Sequence, residues 1–305
     1  MIVLYNSADI TGHVDVRKCI YNDVSGGRRD LLDIEFEYSE KWFGWKPVQD
    51  DTIRIVLDGL DTGILYVNTV LPEVGRFRII ATGAKSAARR AATASFEDAT
   101  LGSIMRMCAG ECGMDQGLYG ISAACAYPYM IRENETCTAF IDRLMIMESG
   151  RLKCMNGKLR GIGIEYAQSQ TATQCIDLDS TQLQASYQRR TDMKYKGVTV
   201  ISPYAKASAY DLAADGNNHP VITTLPAADG AQAKRWAQGL LLNHNRYAEE
   251  LNIGMELNAG LTALARIDIN SNTDAEGEWV VDEVEHDLIE KKSTSRLLRS
   301  ITTIR

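Results

Sequence analysis

A strand-rich pattern near the start of the chain returns near its end, and this recurrence limits the fold more than any other feature. The early copy runs through DTIRIVL (51–57), TGILYVNTV (62–70) and RFRIIAT (76–82). The late copy runs through ARIDI (265–269), EGEWVVDEV (276–284) and TSRLLRSI (294–301). Ile53 and Ile267 stand 214 positions apart, and so do Gly63 and Gly277. The outer strands loosen the offset: Ile34 matches Ile253 at 219 and Phe77 matches Leu297 at 220, as changes in loop length between equivalent strands would produce. The likeness is one of pattern, not identity, and alternating apolar residues draw on a narrow alphabet. A true duplication would give one chain two similar sheet modules, so that three chains make a ring of six similar units.

A chain of 305 residues with 45 % hydrophobic content can supply cores for two or three domains. Its formal net charge of -7 argues against a duplex-binding surface, which needs clustered Lys and Arg to neutralise phosphates. The short basic clusters Arg28-Arg29, Arg89-Arg90, Arg189-Arg190 and Lys291-Lys292 read as solvated loops or strand edges. No apolar run approaches the roughly 20 residues of a membrane helix, and MIVLYNSADITG lacks the regions of a signal peptide, so synthesis and assembly in a cytoplasm are expected. Seven cysteines without a CxxC unit make a disulfide framework an unlikely design.

Along the chain, LLDIEFEY (31–38) alternates without error, with Leu32, Ile34, Phe36 and Tyr38 on one face and Asp33, Glu35 and Glu37 on the other, wet face. The connection SEKWFGWKPVQDD follows, carrying Trp42, Phe43 and Trp45 around Gly44. Two readings stay open: the loop covers an open end of its own sheet, or its aromatics anchor a neighbouring subunit in a ring interface. From 84 to 166 the period changes. Leu101, Ile104, Met105, Cys108 and Cys112 form one helical stripe ended by Gly113. A second helix is predicted over about 136–148, with Phe140, Ile141, Leu144 and Met145 inward and Gly150 as its stop. Asn156-Gly157 marks a hairpin. The polar stretch 168–181 reads as a linker, and 215–220 as an exposed turn. Strands resume from Gln184, followed by a helix over about 229–251 that carries Trp236, His244 and Leu251 on one face and is expected to pack on its own sheet.

No residue set singles out a chemistry. Cys108, Cys112, Cys125 and Cys137 have a spacing unlike common zinc sites, and core packing accounts for Cys108 and Cys112. His13, His219, His244 and His286 are scattered, and no local motif links them. Glu111, Glu148 and Asp142 sit on or beside polar helix faces. Glycine-rich phosphate loops are absent. The expectation is a protein without catalytic residues, cofactor or metal.

Several stretches in order resemble the phage late-control D family, the hubs of contractile-tail baseplates, with relatives in pyocin-like particles and type VI secretion spikes. They are LLDIEFEY with QDDTIRIVL and TGILYVNTV; SFEDATLGSIMRMCAGECGM (95–114); and IRENETCTAFIDRLMIMESGRLKCMNGKL, with Glu133, Glu135, Phe140, Arg143, Leu144, Gly150 and Asn156-Gly157 in the family's pattern. The ending VDEVEHDLIEKKSTSRLLR matches through Val284, His286, Thr294 and Leu297. Cys137 and Lys291-Lys292 depart from the pattern. The resemblance implies an α+β, mainly β fold: two tail-tube-like antiparallel β-barrel domains at 1–85 and 184–305, the second with the long helix, and an inserted α+β domain and linker at 86–183. It implies a non-enzymatic homotrimer with pseudo-sixfold shape in the virion tail baseplate or a phage-like particle, assembled in the host cytoplasm. The implied partners are the tail tube, the central spike, possible tape-measure contacts and other baseplate proteins, with DNA only as passing cargo and no membrane insertion. A tail-associated peptidoglycan hydrolase and a receptor-binding module resting on the Trp42 loop are the competing readings.

Overall fold

The computed structural model describes residues 1–37, 46–179, 183–214 and 220–305. In the first part of the chain, strand Leu31–Glu37 puts Leu32, Ile34 and Phe36 fully into a core with Ile53, Ile55, Leu65, Val67 and Ile79. Its neighbours are Val16–Val24 and Arg76–Thr82, and beyond the latter lie Leu65–Glu73, Thr52–Leu57 and Ile2–Tyr5. One acid on the supposedly wet face is buried: Asp33 accepts hydrogen bonds from Lys18 at 2.7 Å and from both ends of the Arg78 fork at 2.6 and 2.7 Å. Burial acts to raise this carboxyl, but the Arg78 and Lys18 hydrogen bonds outweigh it and hold the group below its ordinary value.

The last part of the chain repeats this order. Gln184–Arg189, Glu249–Glu256, Lys292–Arg299, Gly277–Asp287, Arg266–Asn270 and Gln174–Asp177 stand side by side, as Val16–Val24 through Ile2–Tyr5 do in the first copy. Ladder registers extend the match to single residues. Ile53 faces Leu65 as Ile267 faces Trp279, which keeps the offset of 214. Val67 faces Ala81 and Val281 faces Leu297, and each strand then skips one residue, Asn68 or Asp282, in a β-bulge. Leu297 therefore corresponds to Ala81, and the match of Phe77 with Leu297 is four residues out of register. A slip by an even number of residues leaves every side chain on its own face, so alternation cannot detect it. The copies differ at one end: Ile2–Tyr5 runs antiparallel to its neighbour, whereas Gln174–Asp177 runs parallel to Arg266–Asn270. That strand lies inside the polar stretch read as a linker.

Among the described residues the two copies do not close as separate β-barrels. Residues 283–287 pair antiparallel with 20–24 and fuse both copies into one 14-stranded sheet. Strand length is the cause. Gly277–Asp287 has 11 residues, and its partner Arg266–Asn270 covers only 277–280, so an overhang with unmet backbone groups is left for the strand Val16–Val24.

Between the copies, helices α1 (Leu101–Glu111) and α2 (Cys137–Met147) follow the expected stripes, with Thr100 and Thr136 as N-caps. Gly113, at φ +60°, ends α1 as read, but Ser149 at φ +60° ends α2, and Gly150 already begins a strand. Asn156 and Gly157, both with positive φ, join Gly150–Met155 to Lys158–Gly163. A short α3 (Ile164–Ser169) follows. The long helix, α4 (Gly230–Asn245), stops earlier than read. Arg246–Ala248 forms a 3-10 turn, and Leu251 lies in a strand. It also packs elsewhere than expected. Trp236, Ala237 and Leu241 share a core with α1, α2 and the small sheet of Gly197–Ile201, Lys206–Tyr210 and Val221–Thr224, so α4 and this small sheet pack with the central body and not with the second copy's wall.

Gly239 lets α4 touch the end of α2, because a β-carbon there would collide with the carbonyl oxygens of Ile146 and Met147. Gly239→Ala is expected to carry an overpacking cost of about 1–3 kcal/mol, for a net destabilisation of up to about 2 kcal/mol once helix propensity is counted. The clash is with backbone oxygens, which cannot rotate aside as a flexible side chain would, so the ~1 kcal/mol of helix propensity that alanine brings offsets only part of the cost. Urea unfolding measures it; an unchanged or higher midpoint would show that α4 can move off α2 freely.

Candidate assembly interface

Asp282 is the bulged residue beside the joint, so its side chain is turned out of the ladder into the seam between the copies. It is 1 % exposed and accepts hydrogen bonds from Ser25 Oγ at 2.8 Å, Arg246 Nη2 at 3.1 Å and Arg296 Nη2 at 2.6 Å. Burial would raise this carboxyl, but the charge of Arg246 and the Arg296 bond prevail and hold it below its ordinary value. Arg28 adds a fourth, more distant partner at 4.0 Å while bridging to the neighbouring Glu283 at 2.6 Å. The ladder itself continues at both ends, with Leu288 N–H donating to Cys19 O at 2.8 Å and Ser25 N–H to Asp282 O at 3.1 Å.

A second buried node ties the central body to this seam. Lys153, on the hairpin strand Gly150–Met155, spends its three ammonium protons on Asp23, on Val24 O at 3.1 Å and on Asp30 at 2.5 Å. The lysine is 2 % exposed. Burial alone would lower its pKa, but Asp23 and Asp30 raise it above the ordinary value; burial pushes Asp30 up, against the pull of Lys153. Tyr21 donates to Asp30 at 3.2 Å. Its counterpart 166 positions on, Tyr187, donates to Glu249 at 3.1 Å, and Glu249 is the counterpart of Asp30 at the offset of 219. The duplicated tyrosine–carboxylate pair is kept while its cation changes from Lys153 to Arg299, which bridges to Glu249 at 2.5 Å and lies 4.6 Å from the Trp279 ring centre.

Of the strand edges that stay open among the described residues, two belong to the repeated wall order beside the seam. Gln184–Arg189 pairs only with Glu249–Glu256 and ends the sheet. Residues 69–73 pair with 76–80 on one side and with no described strand on the other.

Trp42, Phe43 and Trp45, nominated for a subunit or ring contact, lie outside the described residues, as does His219. Cys108, Cys112 and Cys137 do come together, beneath Arg132 and Glu111, each 3.1 Å from Cys137 Sγ. Hydrogen bonds from Cys108 and Cys112 hold the Cys137 thiol below the usual range and push those two above it. Cys125 lies apart, near Glu148. Among the described residues no group of three or more His, Cys, Asp or Glu could hold a metal ion. The three carboxylates do not converge: Glu111 pairs with Arg132, Asp142 lies near Arg151, and Glu148 is held by Tyr127, Arg235 and Trp236. His286 is buried in the seam, with Nδ1 2.8 Å from Ser293 Oγ and its ring stacked on Tyr21; His244 packs edge-on against Tyr195, and His13 sits in a short 3-10 turn. Sequence reasoning missed Lys153, Asp23, Asp30, Asp282 and Arg246. One signal was present, a lysine between Leu152 and Cys154 in a short apolar strand, which requires a buried counter-charge.

No family profile matches the chain, and no curated protein matches it. Solved structures do. A 43 kDa tail protein of prophage MuSo2 from Shewanella oneidensis is 13 % identical with TM-score 0.72, over 98 % of this chain and 97 % of its own. A tail protein from Neisseria meningitidis MC58 is 11 % identical with TM-score 0.75, over 98 % and 96 %. An E. coli component of the type VI secretion system, described as structurally similar to T4 phage tail proteins gp27 and gp5, is 12 % identical with TM-score 0.61, over 94 % and 74 %. The chain has the mainly β fold of these tail proteins along nearly its whole length.

Proposed function

We propose that this protein is a structural hub of a phage or phage-like contractile tail. Three copies form a ring of six similar walls that joins the sixfold tail tube to the central threefold spike. The observation that carries this reading is the same six-strand order built twice by one chain, with the copies already joined edge to edge through 20–24 and 283–287. Closed cyclic assembly covers exposed strand edges, which would otherwise be sites of uncontrolled pairing. The tail-protein fold supports the same reading, and the net charge of -7 suits a conduit through which DNA passes without sticking. In this role the tube, spike, tape-measure and other baseplate proteins are the partners, the virion baseplate is the location, and the chain performs no catalysis.

Sedimentation equilibrium of the purified protein, alone and with its spike, tests the proposal together with class averages from electron microscopy. The expected result is three chains in a hollow ring of near-sixfold outline. A monomer at every concentration, with spike present, would overturn it. Peptidoglycan zymography is expected to give no clearing.

A further inference from the structure

The intrachain seam has a counterpart that one chain cannot make. The overhang 283–287 corresponds to 69–73 at the offset of 214, and strand 20–24 corresponds to 186–190 at the offset of 166. The first pair is joined, whereas the second pair consists of two edges that are open among the described residues, at opposite ends of the path from Gln184–Arg189 to Leu65–Glu73. We infer that residues 69–73 of one chain pair antiparallel with 186–190 of a second copy, in the register that places Thr69 opposite Arg190, Leu71 opposite Gln188 and Glu73 opposite Ser186. This deepens the hub reading and rests on it.

Exposure agrees with the assignment. In the joined seam Tyr21, Asp23, Val284 and His286 are buried, while of their counterparts at the open edges Arg189 and Pro72 are exposed and Tyr187 and Val70 only half-buried. The partner is a second copy because the missing strand for each edge is what the other edge supplies. Such a heterologous joint repeats head to tail until the ring closes. The phase of the ladder follows as well. Leu288 N–H bonds to Cys19 O, so hydrogen-bonded pairs recur at His286–Tyr21 and Val284–Asp23, and Glu285–Asn22 is a non-hydrogen-bonded pair. The counterpart of His286 is Pro72, which has no N–H. The joint between chains therefore carries one backbone bond fewer, and the open edge carries a residue that discourages other strands.

Non-hydrogen-bonded antiparallel pairs hold their α-carbons about 4.5 Å apart, within disulfide range. Leu71→Cys with Gln188→Cys, in a Cys175→Ser background that removes the exposed native thiol, is expected to convert the ring on mild oxidation into covalent dimers and a closed covalent trimer. Each single variant should stay monomeric on a non-reducing gel, as should Leu71→Cys with Gln184→Cys, four residues off register. Thr69→Cys with Arg190→Cys repeats the test at a second pair, and Glu285→Cys with Asn22→Cys should close within one chain as a geometric control. An oligomer by mass that gives neither designed cross-link, while the control closes, overturns this pairing and leaves the hub reading standing. A monomer at all concentrations, spike included, overturns both.

Discussion

Replacing Lys153 with methionine is expected to cost about 3–5 kcal/mol of stability, the range for removing one partner of a buried ion network. The side chains are similar in volume, so the loss comes from Asp23 and Asp30, which would be left facing each other without a cation at 4 % and 0 % exposure. The signature is its pH dependence. Burial already pushes Asp30 up in the native protein, and losing Lys153 removes the pull that opposes this. A carboxyl whose native pKa lies above its unfolded value contributes stability that is fully present below the unfolded value and lost as pH rises through the native one. Urea unfolding of Lys153→Met should therefore recover between pH 8 and pH 5, and Asp30→Asn in the same chain should restore part of the loss at pH 8. A flat profile would mean that the carboxylates find other partners. In the native protein the raised pKa of Lys153 works the opposite end: its contribution is complete below the ordinary lysine value and lost only as pH rises through the higher folded one.

Asp282→Ala is the second large effect, again about 3–5 kcal/mol. It strands Arg246, which is 3 % exposed, without its carboxylate, beside Arg296 and Arg28, which keep only Glu283 as a shared anion. The damage should be local first. Hydrogen exchange is expected to quicken at 20–24 and 283–287 while α1 and α2 keep their protection. Asp282→Asn, which keeps an acceptor, should lose less, and Asp282→Leu with Arg246→Met should regain much of the stability. The native pKa of Asp282 is depressed, so its contribution is present above the unfolded value near 3.9 and lost as pH falls through the folded one. Acid should open this seam in the native protein and have no such effect in the double variant. Uniform loss of protection in Asp282→Ala would show that the seam does not open separately.

Local rules carried much of the fold. The stripe from Leu101 to Cys112, the inward set from Phe140 to Met145, and the Asn156-Gly157 turn each depend on residues within a dozen positions of one another, and each stands where its pattern placed it. The duplication was legible through Ile53 with Ile267 and Gly63 with Gly277 because loops changed least there. It failed at Phe77 because a strand keeps its faces through any even slip. What stayed hidden depends on distance along the chain. Nothing near Asp282 announces Arg246, and nothing near Lys153 announces Asp23. The strand Gln174–Asp177 has the composition of a linker and is ordered only by Arg266–Asn270. The α4 stripe ran on to Leu251 because apolar spacing continues through the 3-10 turn into the next strand.

The seam also sets a schedule for biosynthesis. Tyr21 is made 265 residues before His286, the residue it faces across the ladder. At ~5–20 residues per second this is an interval on the order of tens of seconds. The amino-terminal wall waits through it with one border uncovered, and a nascent chain stopped short of residue 283 can never seal it. Lys153 emerges about midway and can occupy Asp23 and Asp30 first, so the central body guards that border until the carboxyl-terminal strand leaves the ribosome.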